Sequence, residues 1–174
     1  MIKASPPFRA PADVMFLREA VRRGRIDIVC TDLAPHALDE KQRSYSASAD
    51  ISGGMAGVQT LLPAMPHMVQ AGILQFTDIA RPSAANLARR FGLIHRKGAI
   101  SPGLYADIVV VDTCTPNLIR NDEQHGKAGV TPFAEMSAPA SIERTLLRGR
   151  TVALGSRVGP ERSGLVLGEN GGAR

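Results

Sequence analysis

Across Gly24 the hydrophobic pattern of this chain changes from a helical period to that of a buried strand, and the strand runs into a carboxylate. Val14, Leu17, Ala20 and Val21 recur at helical spacing over 12–23, Asp13 lies in the first turn, and Gly24 is placed to end the helix in a left-handed cap. The run 26–30, from Ile26 to Cys30, has the length and composition of a short buried strand. Before the helix, Pro6 and Pro7 force 2–9 into extended chain. Strand, helix and strand in that order predict a βαβ unit of a parallel sheet. The second strand leads into Cys30-Thr31-Asp32-Leu33-Ala34-Pro35-His36. A carboxylate and an imidazole at the carboxyl end of a buried strand occupy the place where α/β barrels carry their chemistry.

Beyond that loop, 37–54 is polar, rich in serine and closed by glycine, which predicts a lid-like loop. A helix is predicted over 58–71, with Leu61, Leu62, Met65, Met68 and Val69 as its apolar stripe and Gly72 at its end. Thr77 is placed to cap a short helix stopped near Pro82, and Ser83 to cap the next, with Leu87, Ala88 and Phe91 facing inward and Gly92 closing it. The period then changes to two. Residues 98–101 and 106–112 are strand-like around Pro102-Gly103, a type II turn signature, and Val109, Val110 and Val111 have the character of buried strand residues. Residues 113–140 are irregular, 142–147 and 151–154 predict a hairpin about Arg148-Gly149, and a glycine-rich strap and tail follow from Gly155. The chain therefore divides into 1–95, which is α/β, and 96–174, which is all-β and has too few strands to close a sheet alone.

Composition excludes several classes. The net charge of +5 and pI near 9.8 come from arginines scattered through amphipathic segments, and aromatic content is only 4%, so no nucleic-acid partner is expected. The charge also suits an anionic small substrate. No apolar run approaches the roughly 18 residues of a membrane span, and prolines break the start, so neither a membrane segment nor a signal peptide is expected. Cys30 and Cys114 lie far apart and outside any CxxC pair, which predicts a reducing, cytoplasmic setting.

Several blocks, in order, resemble one family. Ser5-Pro6-Pro7-Phe8-Arg9 resembles Asn-Pro-Pro-Leu-Arg. Thr31-Asp32-Leu33-Ala34-Pro35-His36 with Asp39-Glu40-Lys41 resembles Thr-Asp-His-Ala-Pro-His with a trailing Glu-Glu-Lys. Gly53-Gly54-Met55-Ala56-Gly57-Val58-Gln59 resembles the Gly-Ile-x-Gly segment opening a last barrel helix, and Asn86 to Leu93 resembles Asn-Pro-Ala-Arg-x-Phe-Gly-Leu. Lys97-Gly98-Ala99-Ile100, Pro102-Gly103 and Ala106-Asp107-Ile108-Val109 resemble Lys-Gly-x-Ile-x-x-Gly-x-x-Ala-Asp-Leu-Val. Thr131-Pro132-Phe133 and Arg148 to Val152 fit the end of a small domain. Together they resemble the carboxyl-terminal portion of a cyclic amidohydrolase of the dihydroorotase, allantoinase and hydantoinase group.

The resemblance implies a (β/α)8 barrel, of which this chain holds the end of strand seven through helix eight, plus part of a small β-sandwich. It places Met1 within the barrel. It implies hydrolysis of a cyclic amide, as in pyrimidine metabolism, with one or two divalent metals, commonly zinc. The metal makes hydroxide available near neutral pH, and a carboxylate carries its proton to the leaving nitrogen. By its matching position Asp32 is metal ligand and proton shuttle. His36 matches the residue that holds a substrate carboxylate, and Ser5, Ala34 and Gly54 line the substrate. Ser5 stands where dihydroorotases carry Asn, and Gly53–Gln59 leans toward allantoinases, so allantoinase or hydantoinase/dihydropyrimidinase specificity is the alternative.

The family's other ligands, a His-x-His pair, a carbamylated lysine and two further histidines, have no match here. The four histidines are His36, His67, His95 and His125. One aspartate falls short of the three protein ligands of a catalytic zinc. The chain alone is therefore expected to be inactive. It would act with the missing half or as a homo-oligomer, or it is a non-catalytic truncated paralogue or partner subunit.

Overall fold

The structure is a computed structural model that describes residues 3, 7–34, 36–42, 46–47, 50–51 and 53–167. Ser5, Pro35, parts of the 37–54 loop and the tail beyond 167 lie outside the described residues.

Helix α1 (Pro11–Arg22) begins with Pro11 at its first position, where a missing N–H costs nothing. It ends as the sequence predicts. Gly24 adopts φ 67°, its N–H donates to Val21 O at 3.0 Å, and Arg25 N donates to Ala20 O at 2.8 Å. That pair of bonds satisfies two carbonyls the helix leaves open. The apolar face departs from expectation. Ala20 is buried and Val21 packs on the core, but Val14 and Leu17 are 37% and 49% exposed.

The predicted strand 26–30 does not form. Among the described residues it has no ladder partner, and Cys30 is exposed. Parallel strands are stable where neighbours cover both edges and both faces; without them the apolar run is irregular chain. Among the described residues the expected βαβ unit is its helix and two isolated bridges, with residues 2 and 4–6 of the extended segment outside them. Lys3 pairs antiparallel with Gly54, and Leu33 pairs parallel with Met55.

The 37–54 segment is not loop throughout. It contains helix α2 (Leu38–Gln42). The helix expected over 58–71 is two pieces, α3 (Leu61–Ala64) and α4 (Pro66–Gln70). Pro66 has no N–H to donate backward, so the ladder breaks there. The predicted stripe still faces inward: Met65, Leu74 and Ile79 form the core, packed by Val21, Leu61, Leu62, Met68, Val69 and Ile73.

Thr77 and Ser83 are not caps. Helix α5 (Phe76–Ala80) starts at Gln75, whose N–H donates to the Asp78 carboxylate at 2.9 Å. Nor does Pro82 stop the helix. A π-turn (Arg81–Ala85) carries it into α6 (Asn86–Arg90). Proline lacks the N–H of a regular turn and its ring crowds the carbonyl four residues back; a wider turn relieves both. Ser83 Oγ donates to Ile79 O at 2.6 Å within this stretch. Ala88 faces inward, whereas Phe91 is 66% exposed.

The second half builds a four-stranded antiparallel sheet of order β1-β4-β5-β6, from β1 (Ile108–Asp112), β4 (Ser141–Leu147), β5 (Arg150–Leu154) and β6 (Arg157–Val158). Within the segment expected to be irregular, β2 (Asn117–Leu118) pairs with β3 (Ser137–Ala138). The β4–β5 hairpin turns on Arg148 and Gly149, both with positive φ, the twist-matching two-residue turn. The Pro102-Gly103 turn forms, with Gly103 at φ 89° and Leu104 N donating to Ser101 O. Residues 98–101 are not strand, and Val109 and Val110, on opposite faces of β1, are both exposed, so neither face is fully covered there. Asp107 fastens the sheet to the preceding chain: it pairs with Lys97 at 2.6 Å and accepts the Arg148 N–H at 2.8 Å.

Candidate functional site

Asp32 terminates the segment that α1 and the bulged helix position. Val29 N donates to Pro82 O at 3.3 Å, and Asn86 Nδ2 donates to Asp27 O at 2.9 Å. Arg81 donates to Val21 O and Arg22 O at the end of α1 and pairs with Asp78 at 3.2 Å. The chain then turns at Asp32, which is exposed and has φ 46°, a left-handed conformation that Asp tolerates better than bulkier residues.

The glycine-rich strand of chain at 53–57 lies directly against this turn. A Cβ on Gly54 would sit 2.2 Å from Ala34 Cβ, and one on Gly57 would sit 3.3 Å from Thr31 Cβ. Gly54 is therefore glycine for two reasons, its φ of 100° and the contact with Ala34. Gly54 N donates to Lys3 O at 2.8 Å, and Lys3 Nζ donates to Ile51 O at 2.7 Å. His36 follows: its N–H donates to Ala34 O at 2.9 Å, and its Nδ1 lies 3.4 Å from Glu40 Oε2. The same oxygen accepts the Ala37 N–H at 2.8 Å. That backbone donor, with smaller contributions from His36 and Lys127, holds the Glu40 carboxyl below the usual glutamate range despite some burial.

Of the residues singled out from the sequence, the structure sets Gly54 against Ala34 and has the His36 N–H donate to Ala34 O; no hydrogen bond joins Asp32 to them among the described residues. Ser5 lies outside the described residues. The sequence reading missed Gln59, which ties this region to the second half. Its Nε2 donates to Glu123 O at 2.7 Å and its Oε1 accepts the His125 N–H at 3.0 Å. Two shallow recesses, of about 210 Å³ beside Phe16 and Arg25 and about 160 Å³ beside Ile100 and Tyr105, do not touch Asp32 or His36.

Among the described residues no three His, Cys, Asp or Glu side chains converge to hold a metal ion, so Asp32 belongs to no such set there. The donors present do not by themselves fit a catalytic metal.

The arrangement defines a partial α/β unit, with an aspartate at a loop turn and a small antiparallel sheet appended. Its fold matches that of L-hydantoinase (dihydropyrimidinase) from Arthrobacter aurescens, with a TM-score of 0.85 and 25% identity over 91% of this chain and 36% of that one. D-hydantoinase (dihydropyrimidinase) from Thermus sp. gives 0.85 and 26% over 91% and 35%. This likeness implies a (β/α)8-type barrel fold. The amidohydrolase family model matches residues 6–152, and the chain belongs to that family. Dihydroorotase from Mycobacterium leprae is 37% identical over 156 residues, 89% of this chain and 36% of that protein. Dihydroorotase from Methanothermobacter thermautotrophicus is 34% identical over 171 residues, 98% of this chain and 36% of that protein. The chain thus spans a little over a third of the length of the curated relatives it matches. No helix among the described residues is long and apolar enough to cross a membrane.

Proposed function

We propose that this chain is the carboxyl-terminal part of a dihydroorotase-like, metal-dependent cyclic amidase, with residues 1–95 belonging to the barrel and 96–174 to a small β-sandwich. The carrying observation is the contact of Gly54 with Ala34, which lies between Asp32 and His36, in a chain 37% identical to a dihydroorotase. The higher identity to dihydroorotases than to the hydantoinases favours a ring that bears a carboxylate. Zinc is the proposed metal, which Asp32 would hold together with ligands supplied by the remaining barrel. The free thiols of Cys30 and Cys114 suit a reducing cytoplasm.

Asp32 acts as proton carrier. Water adds to the ring amide carbonyl, its proton passes to the Asp32 carboxylate, and Asp32 returns that proton to the ring nitrogen as the C–N bond breaks. The product is a ring-opened ureido acid. His36 orients the ring by its carboxylate, with Ala34 and Gly54 forming the floor, where only small residues leave room.

The deciding experiment adds this chain to a polypeptide supplying the remaining barrel, with zinc, and follows L-dihydroorotate ring opening. Turnover lost in Asp32→Asn supports the reading, whereas equal turnover in the variant removes it. A second reading, a non-catalytic partner subunit, is favoured by the lack of converging metal donors among the described residues; it predicts no turnover with any added segment.

A further inference from the structure

We propose that Glu40 is the positioning residue of this site: it holds the His36 imidazole with a proton on Nδ1, so that Nε2 can grip an anionic substrate only when the ring is cationic. This rests on the reading of His36 as the group that holds the substrate carboxylate.

Glu40 Oε2 is fixed first by the backbone. It accepts the Ala37 N–H at 2.8 Å, inside the turn that opens α2. The imidazole is the softer partner, with its Nδ1 at 3.4 Å from that same oxygen. An ionised carboxylate only accepts hydrogen bonds, so the nitrogen facing it carries the hydrogen. The Ala37 N–H, and to a lesser degree His36 and Lys127, keep the carboxyl ionised where an ordinary glutamate would begin to protonate. Among the described residues, Glu40 is the charged partner at His36, and Lys127 acts on Glu40 from the loop at 121–129.

With Nδ1 so committed, the neutral ring presents a bare Nε2. A bare nitrogen is an acceptor and has nothing to offer a carboxylate. The imidazolium carries a second N–H and donates. Substrate capture and proton uptake are then one event, and affinity falls about tenfold per pH unit once the ring is neutral. An alanine at position 40 removes this coupling: Nδ1 then faces no carboxylate, and a neutral ring can carry its hydrogen on Nε2.

The test is nitrogen-15 NMR of the His36 ring in this 174-residue chain, labelled and combined with the polypeptide that supplies the remaining barrel, with L-dihydroorotate as probe. The expected neutral form has its hydrogen on Nδ1, and Glu40→Ala shifts it to Nε2. L-dihydroorotate perturbs His36 in the wild-type chain with the tenfold-per-unit loss on raising pH, and Glu40→Ala flattens that slope. A hydrogen on Nε2 in the wild-type chain, or a distribution unmoved by Glu40→Ala, overturns the proposal, as does pH-independent binding. If the ring hydrogen sits on Nδ1 but L-dihydroorotate perturbs His36 at no pH, the carboxylate-holding reading fails and orientation by Glu40 stands.

Discussion

The side-chain amide of Asn86 donates to the main-chain carbonyl of Asp27 across 2.9 Å, and so couples the bulged helix to the chain that leads to Asp32. The π-turn makes that coupling possible. Asn86 N donates to Arg81 O, five residues back, which brings positions 81 and 86 to one side of the helix. From that side Arg81 reaches the end of α1, Pro82 O receives Val29, and Asn86 reaches Asp27.

Pro82→Ala restores a backbone N–H and permits a regular turn. The helix then rotates one anchor away from the 25–31 segment. The Val29 amide, now bonded to Pro82 O, should exchange several-fold faster, in keeping with the loss of about 1 kcal/mol for one hydrogen bond. An unchanged exchange rate at Val29 would show that the bulge does not hold the segment.

Gly54→Ala places a methyl group 2.2 Å from Ala34 Cβ at φ 100°. The backbone strain alone costs about 2 kcal/mol, which lowers the melting midpoint by about 5 °C in a chain of this size. Gly72→Ala, where no atom lies within 4 Å of the added carbon, bears the φ penalty alone and should cost less. Equal midpoints for the two variants would remove the packing argument.

Acid should loosen the junction between the two halves. Burial pushes the Asp107 carboxyl up, but Lys97 and the Arg148 N–H more than offset it, and the net direction is downward from 3.8. A lowered carboxyl contributes stability that is complete above its unfolded value and is lost as pH falls through the folded one. Urea midpoints of the wild-type chain should therefore decline below about pH 4, and Asp107→Asn should start lower and decline less. Parallel declines would assign the acid sensitivity to other carboxylates.

Loading the chain with zinc and then desalting should leave well under one equivalent bound, with Asp32→Asn no different. One carboxylate does not make a tight site. A full equivalent retained, and lost in Asp32→Asn, would mean that residues beyond those described complete the centre.

Local chemistry was legible in the sequence at three turns, though not at the expected Thr77 and Ser83 caps. Gly24, Pro102-Gly103 and Arg148-Gly149 each close their own turn, and each turn forms as expected. What needed distant partners was not legible. The Ile26–Cys30 run reads as a buried strand because its residues are apolar, yet pairing depends on neighbours that the run does not itself provide. Val109, Val110 and Phe91 are exposed for the same reason. Pro82 signals a helix stop by local rule, and only the packing of the next turn against Asp27 and Val29 shows why the helix continues. At the candidate site, the contact of Gly54 with Ala34 spans twenty positions and had no signature beyond the resemblance. Glu40 was visible as part of a motif, but its hold on His36 follows from the turn at Ala37.

The left-handed turn at Asp32 also limits how this position can drift over generations. A lineage relieved of the need for the carboxylate would find few side chains that the corner accepts, chiefly asparagine and glycine. Retired copies of such a chain should therefore cluster at those two letters instead of scattering across the alphabet, and this one position serves as a genealogical marker of whether the acid is still required.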